Sequence, residues 1–322
     1  MSDTDQSQMN VTVGVQYHGL LGLLFFSTVT TVPCCAFLFI NGTLIFTLRS
    51  KSVFRETSRY ILLYNLLFAD TVLLVHGQLM FILAACRITL TYPVCGVFSM
   101  LGELITVISP LTLVVMSLER YVAVCYPLRH ATIITIRNTE MAIVVIWAFS
   151  SLNVLIQVLL VLNFPFKDLQ DLQMTDFCDK ESMMLDSISD LYDKSFTYFL
   201  FLSAGVAVSF SYIGVMVAAM LASTDKAAAR KAHNTLLLHL VQLGLSLSST
   251  IHNALLDYVS QNTDRIKIVR IQIVFYVCLI ILPRCLSSLI YGVRDQTIRP
   301  VLLYNLCFQR KCSLCLSRPD KY

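Results

Sequence analysis

The chain has few charged residues. Only 14% of its 322 residues are Asp, Glu, Lys or Arg, and 56% are hydrophobic. A soluble globular domain carries about 25% charged residues. The composition therefore excludes an ordinary soluble enzyme. It also excludes a disordered chain, which would have few hydrophobic residues and many charged ones. We expect one membrane-embedded body.

The sequence also lacks the motifs of bond chemistry. It has no phosphate-binding glycine loop, no nucleophile elbow, and no histidine or cysteine pair at metal-ligand spacing with a third donor. The six histidines are scattered along the chain. We therefore expect neither an enzyme nor a cofactor or metal site, and no nucleic-acid partner.

Seven long apolar stretches dominate what is present. A helix that crosses the hydrocarbon core of a bilayer needs roughly 20 mostly apolar residues, whereas barrel strands are shorter and alternate. Helices also satisfy their backbone polar groups within lipid. The pattern predicts an all-α membrane protein, a bundle of seven transmembrane helices. The predicted spans are Leu20–Leu48, Tyr60–Cys86, Thr91–Cys125, Met141–Phe164, Phe196–Ala222, Asn234–Leu256 and Ile271–Tyr291.

Lys and Arg are distributed unequally between the two sides of these spans. Fifteen lie in the first, third and fifth connections and the C-terminal tail, against seven on the opposite side. Because basic residues concentrate on the cytoplasmic side, we expect an extracellular N-terminus over 1–19, the bundle over 20–292 and a cytoplasmic tail over 293–322. No signal peptide is visible before Leu20, so we expect the first span to act as an uncleaved targeting signal.

Two features are predicted to face the exterior. Asn10 begins an Asn-Val-Thr glycosylation sequon. The long connection Phe164–Ser195 carries eight acidic residues against three lysines. This acidic connection is either a lid kept soluble by its charge or a vestibule that attracts cationic or polar ligands.

Two cysteines lie on the oxidising side at positions suited to a disulfide. Cys95 is at the outer start of the third span, and Cys178 is in the acidic connection. A bond between them would hold the connection over the mouth of the bundle, with a stabilisation on the order of 4 kcal/mol from loop entropy. Cys86 is a competitor for either partner.

The tail is predicted to begin with a short cytoplasmic amphipathic helix after the last span. Three cysteines on this side are either palmitoylation sites or free thiols. They are Cys307, Cys312 and Cys315.

The inner end of the third span resembles a known signature. The run Met116–His130 is Met-Ser-Leu-Glu-Arg-Tyr-Val-Ala-Val-Cys-Tyr-Pro-Leu-Arg-His. It is similar to the signature of rhodopsin-like G-protein-coupled receptors, and its Ala-Val-Cys-Tyr-Pro-Leu part resembles odorant receptors, fish-type ones above all. Further matches are Asn41, the Asn65–Asp70 motif, Trp147, Tyr212 and the Arg230–Leu240 entry to the sixth span.

The resemblance implies a receptor of the plasma membrane, in the cilia of sensory neurons if its ligands are odorants. A small-molecule odorant would bind among the third, fifth, sixth and seventh helices. A heterotrimeric G protein of the stimulatory olfactory type would bind the inner surface and raise cyclic AMP. The implied switch is Glu119, Arg120 and Tyr121: Glu119 holds Arg120 at rest, and the released Arg120 joins Tyr212 and Tyr291 in the G-protein pocket.

The resemblance is incomplete in the last span. The family's Asn-Pro-x-x-Tyr is here the run Ser287–Tyr291, Ser-Ser-Leu-Ile-Tyr, without the asparagine or the proline. Pro283, five residues earlier, is a candidate kink. At the other end of the bundle the family pattern is kept, because Cys95 lies twenty-five residues before Arg120, the family's spacing for its disulfide cysteine.

Ionisable residues at bilayer depth are functional candidates, because each costs several kcal/mol unless it is paired or hydrated. Asp70 matches the family's sodium-site carboxylate, and Arg284 lies two helical turns before Tyr291, at a height that can meet Asp70. We hypothesise an intramembrane polar network of Asn41, Asp70 and Arg284 in which the Asp70–Arg284 ion pair displaces sodium. Alternatively, Arg284 pairs with Glu103 or reaches water.

Glu103 lies two turns into the third helix, which lines the ligand cavity in this family. It is either a polar anchor for a ligand within an apolar cavity or a structural partner of another polar group. Gly102 stands where amine receptors carry aspartate, which disfavours a monoamine ligand. Further cavity candidates, each also explained by packing, are Ser99, Thr106, His252, Leu256 and Tyr276.

Two other functions compete with an odorant receptor. One is a non-olfactory receptor of the same superfamily, for a peptide or lipid. The other is a transporter or channel, which should show paired broken helices or a charged pore. Asp70, Glu103 and Arg284 are too few to make a charge relay.

Overall fold

The computed structural model describes residues 3–86, 88–162, 178, 187–222, 274–294 and 297–308, and the single residues 237, 240, 241, 244, 245, 248, 259 and 271. Most of these residues are helical. Within this part of the chain, five helical segments are long and apolar enough to cross a membrane. They are Ser27–Ser50, Ser58–Ala85, Tyr92–Cys125, Ile136–Leu162 and Ser187–Ala218.

The helices follow one another along the chain with short connections in the first half. They are α1 (Asp3–Ser50), α2 (Ser52–Arg55), α3 (Ser58–Ala85), α4 (Tyr92–Cys125), α5 (Pro127–Ile133), α6 (Ile136–Leu162), α7 (Ser187–Ala222), α8 (Leu282–Arg294) and α9 (Ile298–Phe308). Six described residues in the range 237–248 are also helical. They lie inside the predicted sixth span.

Proline begins two of these helices. Pro93 lies in the first turn of α4 and Pro127 in that of α5. Proline is tolerated there because the first N–H groups of a helix have no acceptor within it. Between the two helices, Tyr126 leaves the helical conformation, with φ −131° and ψ 57°. The chain therefore changes direction at Tyr126, between the end of α4 and the start of α5.

The predicted C-terminal end of the connection Phe164–Ser195 is wrong. α7 begins at Ser187, so the last nine residues of that range are helical. Asp190 lies in the first turn of α7, where a negative charge is favourable, and its carboxylate accepts a hydrogen bond of 2.9 Å from Lys194. Such a pair at i and i+4 supports a helix in water, and a hydropathy pattern does not register it.

The largest apolar core lies where α1, α3, α4 and α7 meet. Its centre is formed by Leu62, Leu63, Leu66 and Leu67 of α3. Ile298 and Leu302 of α9 are buried in the same core, beside Phe54 of α2. The short helix after the last span is therefore present, and it packs against α1 and α8.

The last span is not a regular α-helix. Tyr276–Ile281 is π-helical and continues directly into α8. Single π-turns in longer helices mark a local irregularity. Pro283, two residues after the π-helical turn, has no backbone N–H to donate. The irregular part of this span is thus at 276–283, next to the predicted kink, while Ser287–Tyr291 lies within α8.

Candidate functional site

The end of α4 carries the first element of the site. The Nε atom of Arg120 lies 3.5 Å from Oε2 of Glu119, and the Glu119 side chain is only 10% exposed. A carboxylate that has lost most of its water requires a counter-charge. The structure therefore brings together the two residues that the resemblance pairs.

A second basic side chain lies near the same carboxylate. The Nε2 atom of His130, on α5, lies 3.7 Å from Oε1 of Glu119. His130 is eleven residues after Glu119. It belongs to the segment Pro127–His130, which is predicted to face the G protein, but its contact with Glu119 is not predicted. The turn at Tyr126 brings it back towards the end of α4. The proline after Tyr126 is the sequence signal that could have indicated this turn.

Tyr121 fills the space between α4 and α7. Its ring centroid lies 5.6 Å from that of Phe210 and 5.9 Å from that of Tyr126. The ring lies directly against Gly214 of α7, where there is no room for a Cβ atom. Tyr212 is half-buried on the same helix. The pocket that it is predicted to form with Arg120 and Tyr291 stays a prediction.

The outer end of α4 is held by a disulfide. Cys95 is bonded to Cys178, with Cα atoms 5.6 Å apart, and Cys95 is fully buried. Cys86, the competing partner, is a free and exposed thiol. The predicted pairing of Cys95 with Cys178 is confirmed.

Hydrogen bonds join α3, α4 and α6 in the middle of the bundle. Trp147 Nε1 donates to Asn65 Oδ1 at 3.0 Å, and Asn65 Nδ2 donates to Thr112 Oγ1 at 2.9 Å. One turn away, Ser109 Oγ donates to Asp70 Oδ1 at 2.8 Å. Sequence reasoning missed Ser109 and Thr112. Their i, i+3 spacing on an apolar helix is the signal that they share a face.

Asn41, Asp70 and Arg284, the predicted polar network, are all buried inside the bundle. Among the described residues, no hydrogen bond or ion pair joins these three side chains directly. Arg284 donates to the carbonyl of Ile280, one turn earlier, at 2.5 Å. The charge of Asp70 acts on Arg284, yet among the described residues the two form no direct ion pair. Asn41 is fully buried, and within the described chain its side chain makes no hydrogen bond.

Asp70 is also the residue that would hold a sodium ion in this family. Asp70 is 2% exposed and Arg284 is 5% exposed, and the positive guanidinium acts on this carboxylate. A second cation would meet that positive charge in a medium of low dielectric constant. The displacement of a sodium ion by Arg284 stays a prediction.

The ligand candidates on α4 lie below the disulfide. Glu103 is half-buried. Thr106 Oγ1 donates to the carbonyl of Gly102 at 2.8 Å, so its hydroxyl is used within the helix. Ser99 Oγ lies 3.8 Å from Sγ of Cys95, one turn earlier. Of these side chains, Glu103 carries the only charge.

Two glycines allow close contacts between α3 and its neighbours. His76 of α3 reaches the carbonyl of Phe98 with Nε2 at 2.9 Å, and a Cβ atom on Gly102 would lie 2.7 Å from its ring. Tyr276 brings its hydroxyl to Gly77, 2.8 Å from where a Cβ would stand. The His76 ring thus covers Gly102, and Tyr276 packs against α3.

Several predicted site residues cannot be placed relative to these contacts. Three of them have side chains that the structure does not describe: Asn10, Tyr291 and Cys307. Four lie entirely outside the described part of the chain: His252, Leu256, Cys312 and Cys315.

Comparison with known proteins identifies the family. The chain matches the 7 transmembrane receptor (rhodopsin family) over residues 40–291. It is 33% identical over 269 residues to odorant receptor 131-2 of Danio rerio, covering 83% of this chain and 81% of that protein. It is 31% identical over 199 residues to olfactory receptor 2A1/2A42 of Homo sapiens (60% and 61%), and 27% identical over 265 residues to olfactory receptor-like protein OLF4 of Canis lupus familiaris (80% and 82%). The chain therefore belongs to the rhodopsin family of seven-transmembrane receptors, and within it to the odorant receptors.

Proposed function

We propose that this receptor binds a small-molecule odorant within its helical bundle and activates a heterotrimeric G protein of the stimulatory olfactory type, which raises cyclic AMP. One observation carries the proposal: α4 holds the Cys95 disulfide near one end and the Glu119–Arg120 pair near the other. Twenty-five helical residues separate Cys95 from Arg120, about 37 Å at 1.5 Å per residue. The hydrocarbon core is roughly 30 Å thick, so one continuous helix is long enough to link the two faces of the membrane.

The ligand site is proposed to lie beneath the disulfide-linked connection. Glu103 is its polar anchor, two turns inward from Cys95. Ligand cavities are mostly apolar with a few placed polar groups, and a half-buried carboxylate suits a ligand that donates a hydrogen bond or carries positive charge. The other proposed contacts are Ser99, Thr106, His252, Leu256 and Tyr276.

The energetic demands of such a switch are modest. A ligand that binds the active arrangement about 100-fold more tightly than the resting one contributes about 2.7 kcal/mol and moves the equilibrium 100-fold. The contact to be broken, Glu119–Arg120, is 3.5 Å long and partly exposed on the Arg120 side. Arg120 can therefore regain water when it leaves Glu119, which limits the free energy that a ligand must supply.

The inner surface is proposed to bind the G protein. It comprises Arg120, the start of α5 at Pro127–His130 and the connection 222–233. Leu128 supports this assignment, because its side chain is 96% exposed at the start of α5. A fully exposed large apolar side chain next to the switch is a suitable anchor for a partner protein.

The proposed topology follows the Lys and Arg distribution. The N-terminus is extracellular, with Asn10 glycosylated, and the tail is cytoplasmic, with palmitoylation at one or more of Cys307, Cys312 and Cys315. The proposed location is the plasma membrane, in the cilia of sensory neurons if the ligands are odorants.

A signalling assay tests the proposed function. Cells that express the full chain with a stimulatory olfactory G protein are exposed to a panel of odorants and amino acids, and cyclic AMP is recorded. We expect an evoked rise that falls at least tenfold in Arg120→Gln and persists in Arg137→Gln, a matched change at an exposed arginine of α6. Surface staining of each variant controls for expression. An evoked current or uptake that needs no G protein would contradict the proposal.

A further inference from the structure

Two buried amide side chains lie one helical turn apart on α6 and reach α7. Asn153 is 2% exposed and Gln157 is 3% exposed. The Tyr192 hydroxyl donates to Oδ1 of Asn153 at 3.0 Å. Nε2 of Gln157 donates to Oδ1 of Asp193, also at 3.0 Å. Each amide is therefore bonded to α7 through one of its two polar atoms. We call these four residues the α6–α7 cluster.

The second polar atom of each amide is unused. Among the described residues, Nδ2 of Asn153 and Oε1 of Gln157 are buried and have no hydrogen-bond partner. Most buried polar atoms in native proteins are paired, because an unpaired one costs free energy. An ionised carboxylate only accepts hydrogen bonds, so Asp193 fixes the Gln157 amide with its nitrogen towards α7. The cluster thus offers one unused donor and one unused acceptor.

The cluster has aromatic surroundings. The ring of Phe196 stacks on that of Tyr192, with centroids 6.2 Å apart, and on that of Phe149, with centroids 5.8 Å apart. A small-molecule site is mostly apolar and aromatic, with a few polar groups that orient the ligand. The composition of the cluster is of this kind.

Contacts between α4 and α6 place the cluster beside the proposed ligand site. The Ser150 hydroxyl donates to the carbonyl of Leu104, and Val161 packs against Cys95. The two amides lie between these contacts along α6, so they run alongside the stretch 95–104 of α4. That stretch carries the proposed polar anchor of the ligand site.

Only some ligand groups satisfy both unused atoms. A primary amide or a hydroxyl accepts one hydrogen bond and donates another. A carboxylate cannot donate to Gln157, and the negative charge of Asp193 repels it. An ammonium group cannot accept from Asn153. The two atoms therefore favour a neutral group that both donates and accepts.

We propose that the α6–α7 cluster is a hydrogen-bonding subsite of the ligand site, which selects ligands that carry a primary amide or a hydroxyl. Asn153 donates to the ligand oxygen, and Gln157 accepts from the ligand N–H or O–H. This inference rests on the proposed function for the effect of the ligand on signalling, whereas binding can be measured without a G protein.

A titration of the wild type tests the selectivity. The purified full chain in lipid nanodiscs is titrated with hexanamide, 1-hexanol, N,N-dimethylhexanamide and hexanoate, which share a six-carbon chain. Binding is followed by saturation-transfer NMR, and the signal of empty nanodiscs is subtracted. We expect hexanamide and 1-hexanol to bind roughly tenfold more tightly than the other two probes, because each of those leaves a buried polar atom of the cluster unpaired.

The variant Gln157→Met connects this selectivity to the cluster. It removes the unused acceptor and keeps a side chain of similar size, so the affinity for hexanamide should fall roughly tenfold. The affinity for N,N-dimethylhexanamide should not change, because that probe has no proton to donate. A merely structural role of Gln157 would lower both affinities.

Two further variants complete the test. Asn153→Leu removes the unused donor and should weaken both amide probes, because each presents a carbonyl oxygen to it. Gln78→Met is the matched control, since Gln78 of α3 is also buried, with an unpartnered Oε1 within the described chain and a bond from Nε2 to Thr31. It should leave the affinities for all four probes unchanged.

The inference is overturned if the wild type binds all four probes equally or binds none of them. It is also overturned if Gln157→Met weakens the two amide probes to the same extent. The comparison of probes on the wild type needs no variant, so it decides the question even where a variant fails to fold. Selective binding without a cyclic AMP response to the odorant panel would count against the proposed function alone, and a response without selective binding would count against the subsite alone.

Discussion

Trp147 donates its indole N–H to the side-chain oxygen of Asn65 at 3.0 Å, and so joins α6 to α3. The side-chain nitrogen of Asn65 in turn donates a hydrogen bond of 2.9 Å to Thr112 of α4. Three helices are thereby held at one level by a single amide. Within lipid, each such bond contributes about 0.6 kcal/mol on average and up to about 1.7 kcal/mol. The two bonds made by Asn65 therefore contribute measurably to the stability of the bundle.

Replacement of Asn65 by Ala should lower the free energy of unfolding by about 1–2 kcal/mol, because the indole N–H of Trp147 then loses its acceptor in a buried place. The thermal melting temperature of the purified receptor measures the effect. Asn138→Ala is the control, because Asn138 is exposed and bonds only locally to the carbonyl of Ile133. Equal melting temperatures for the two variants would contradict the prediction.

Gly214→Ala should destabilise the receptor, whereas Gly205→Ala on the same helix should not. The ring of Tyr121 occupies the place of a Cβ atom at Gly214, and nothing lies within 4 Å of one at Gly205. A Cβ atom at Gly214 would displace the Tyr121 ring, which packs against Phe210 with centroids 5.6 Å apart. Overpacking of this kind costs about 1–3 kcal/mol. Surface expression and melting temperature should both fall for Gly214→Ala alone, and parallel behaviour of the two variants would show that the close approach is unimportant.

Cys95→Ser should remove about 4 kcal/mol of stabilisation in the loop-entropy model, because the disulfide closes a loop of 83 residues in sequence separation. We expect loss of most receptor from the cell surface. Cys86→Ser should leave surface expression unchanged, since Cys86 is a free thiol. Peptide mapping without reduction gives the direct check, and a Cys86-containing bridge in the wild type would overturn the assignment.

Asp70→Asn and Arg284→Gln should each reduce surface expression strongly, and the double variant should recover part of it. Both side chains are buried and their charges interact, so either single change leaves the other charge with less compensation in a medium of low dielectric constant. Ser109→Ala, which removes only the hydrogen bond to Asp70, should cost less than either. The coupling between Asp70 and Arg284 would lose its support if the double variant were no better than the singles.

Hydropathy located the central helices closely. The predicted span Thr91–Cys125 differs by one residue from the observed Tyr92–Cys125, because the apolar run begins beside a proline and ends at a turn. α6 and α7 begin earlier than predicted, at Ile136 and Ser187. Their first turns carry charged residues and extend beyond the apolar part. Hydropathy indicates only the part of a helix that lies in lipid. Hydrogen bonds and charge pairs allow the same helix to continue into water, where hydropathy gives no signal.

Contacts between sequence neighbours were predictable, and contacts between distant helices were not. Glu119 and Arg120 are adjacent, so a family signature suffices to pair them. The contact of His130 with Glu119 and the bond of Trp147 to Asn65 depend on helix rotation and on the direction in which each side chain leaves its helix. The proline after Tyr126 indicates a turn before His130, but neither composition nor spacing specifies which side chains then meet.

The most direct measurement of the central claim is the sidedness of the two chain ends. Different epitope tags are placed at the N-terminus and the C-terminus of the full chain, and intact cells are stained before and after permeabilisation. A receptor that carries a chemical signal inward through seven spans should show the N-terminal tag in intact cells, and the C-terminal tag only after permeabilisation. Staining of both tags in intact cells would contradict it.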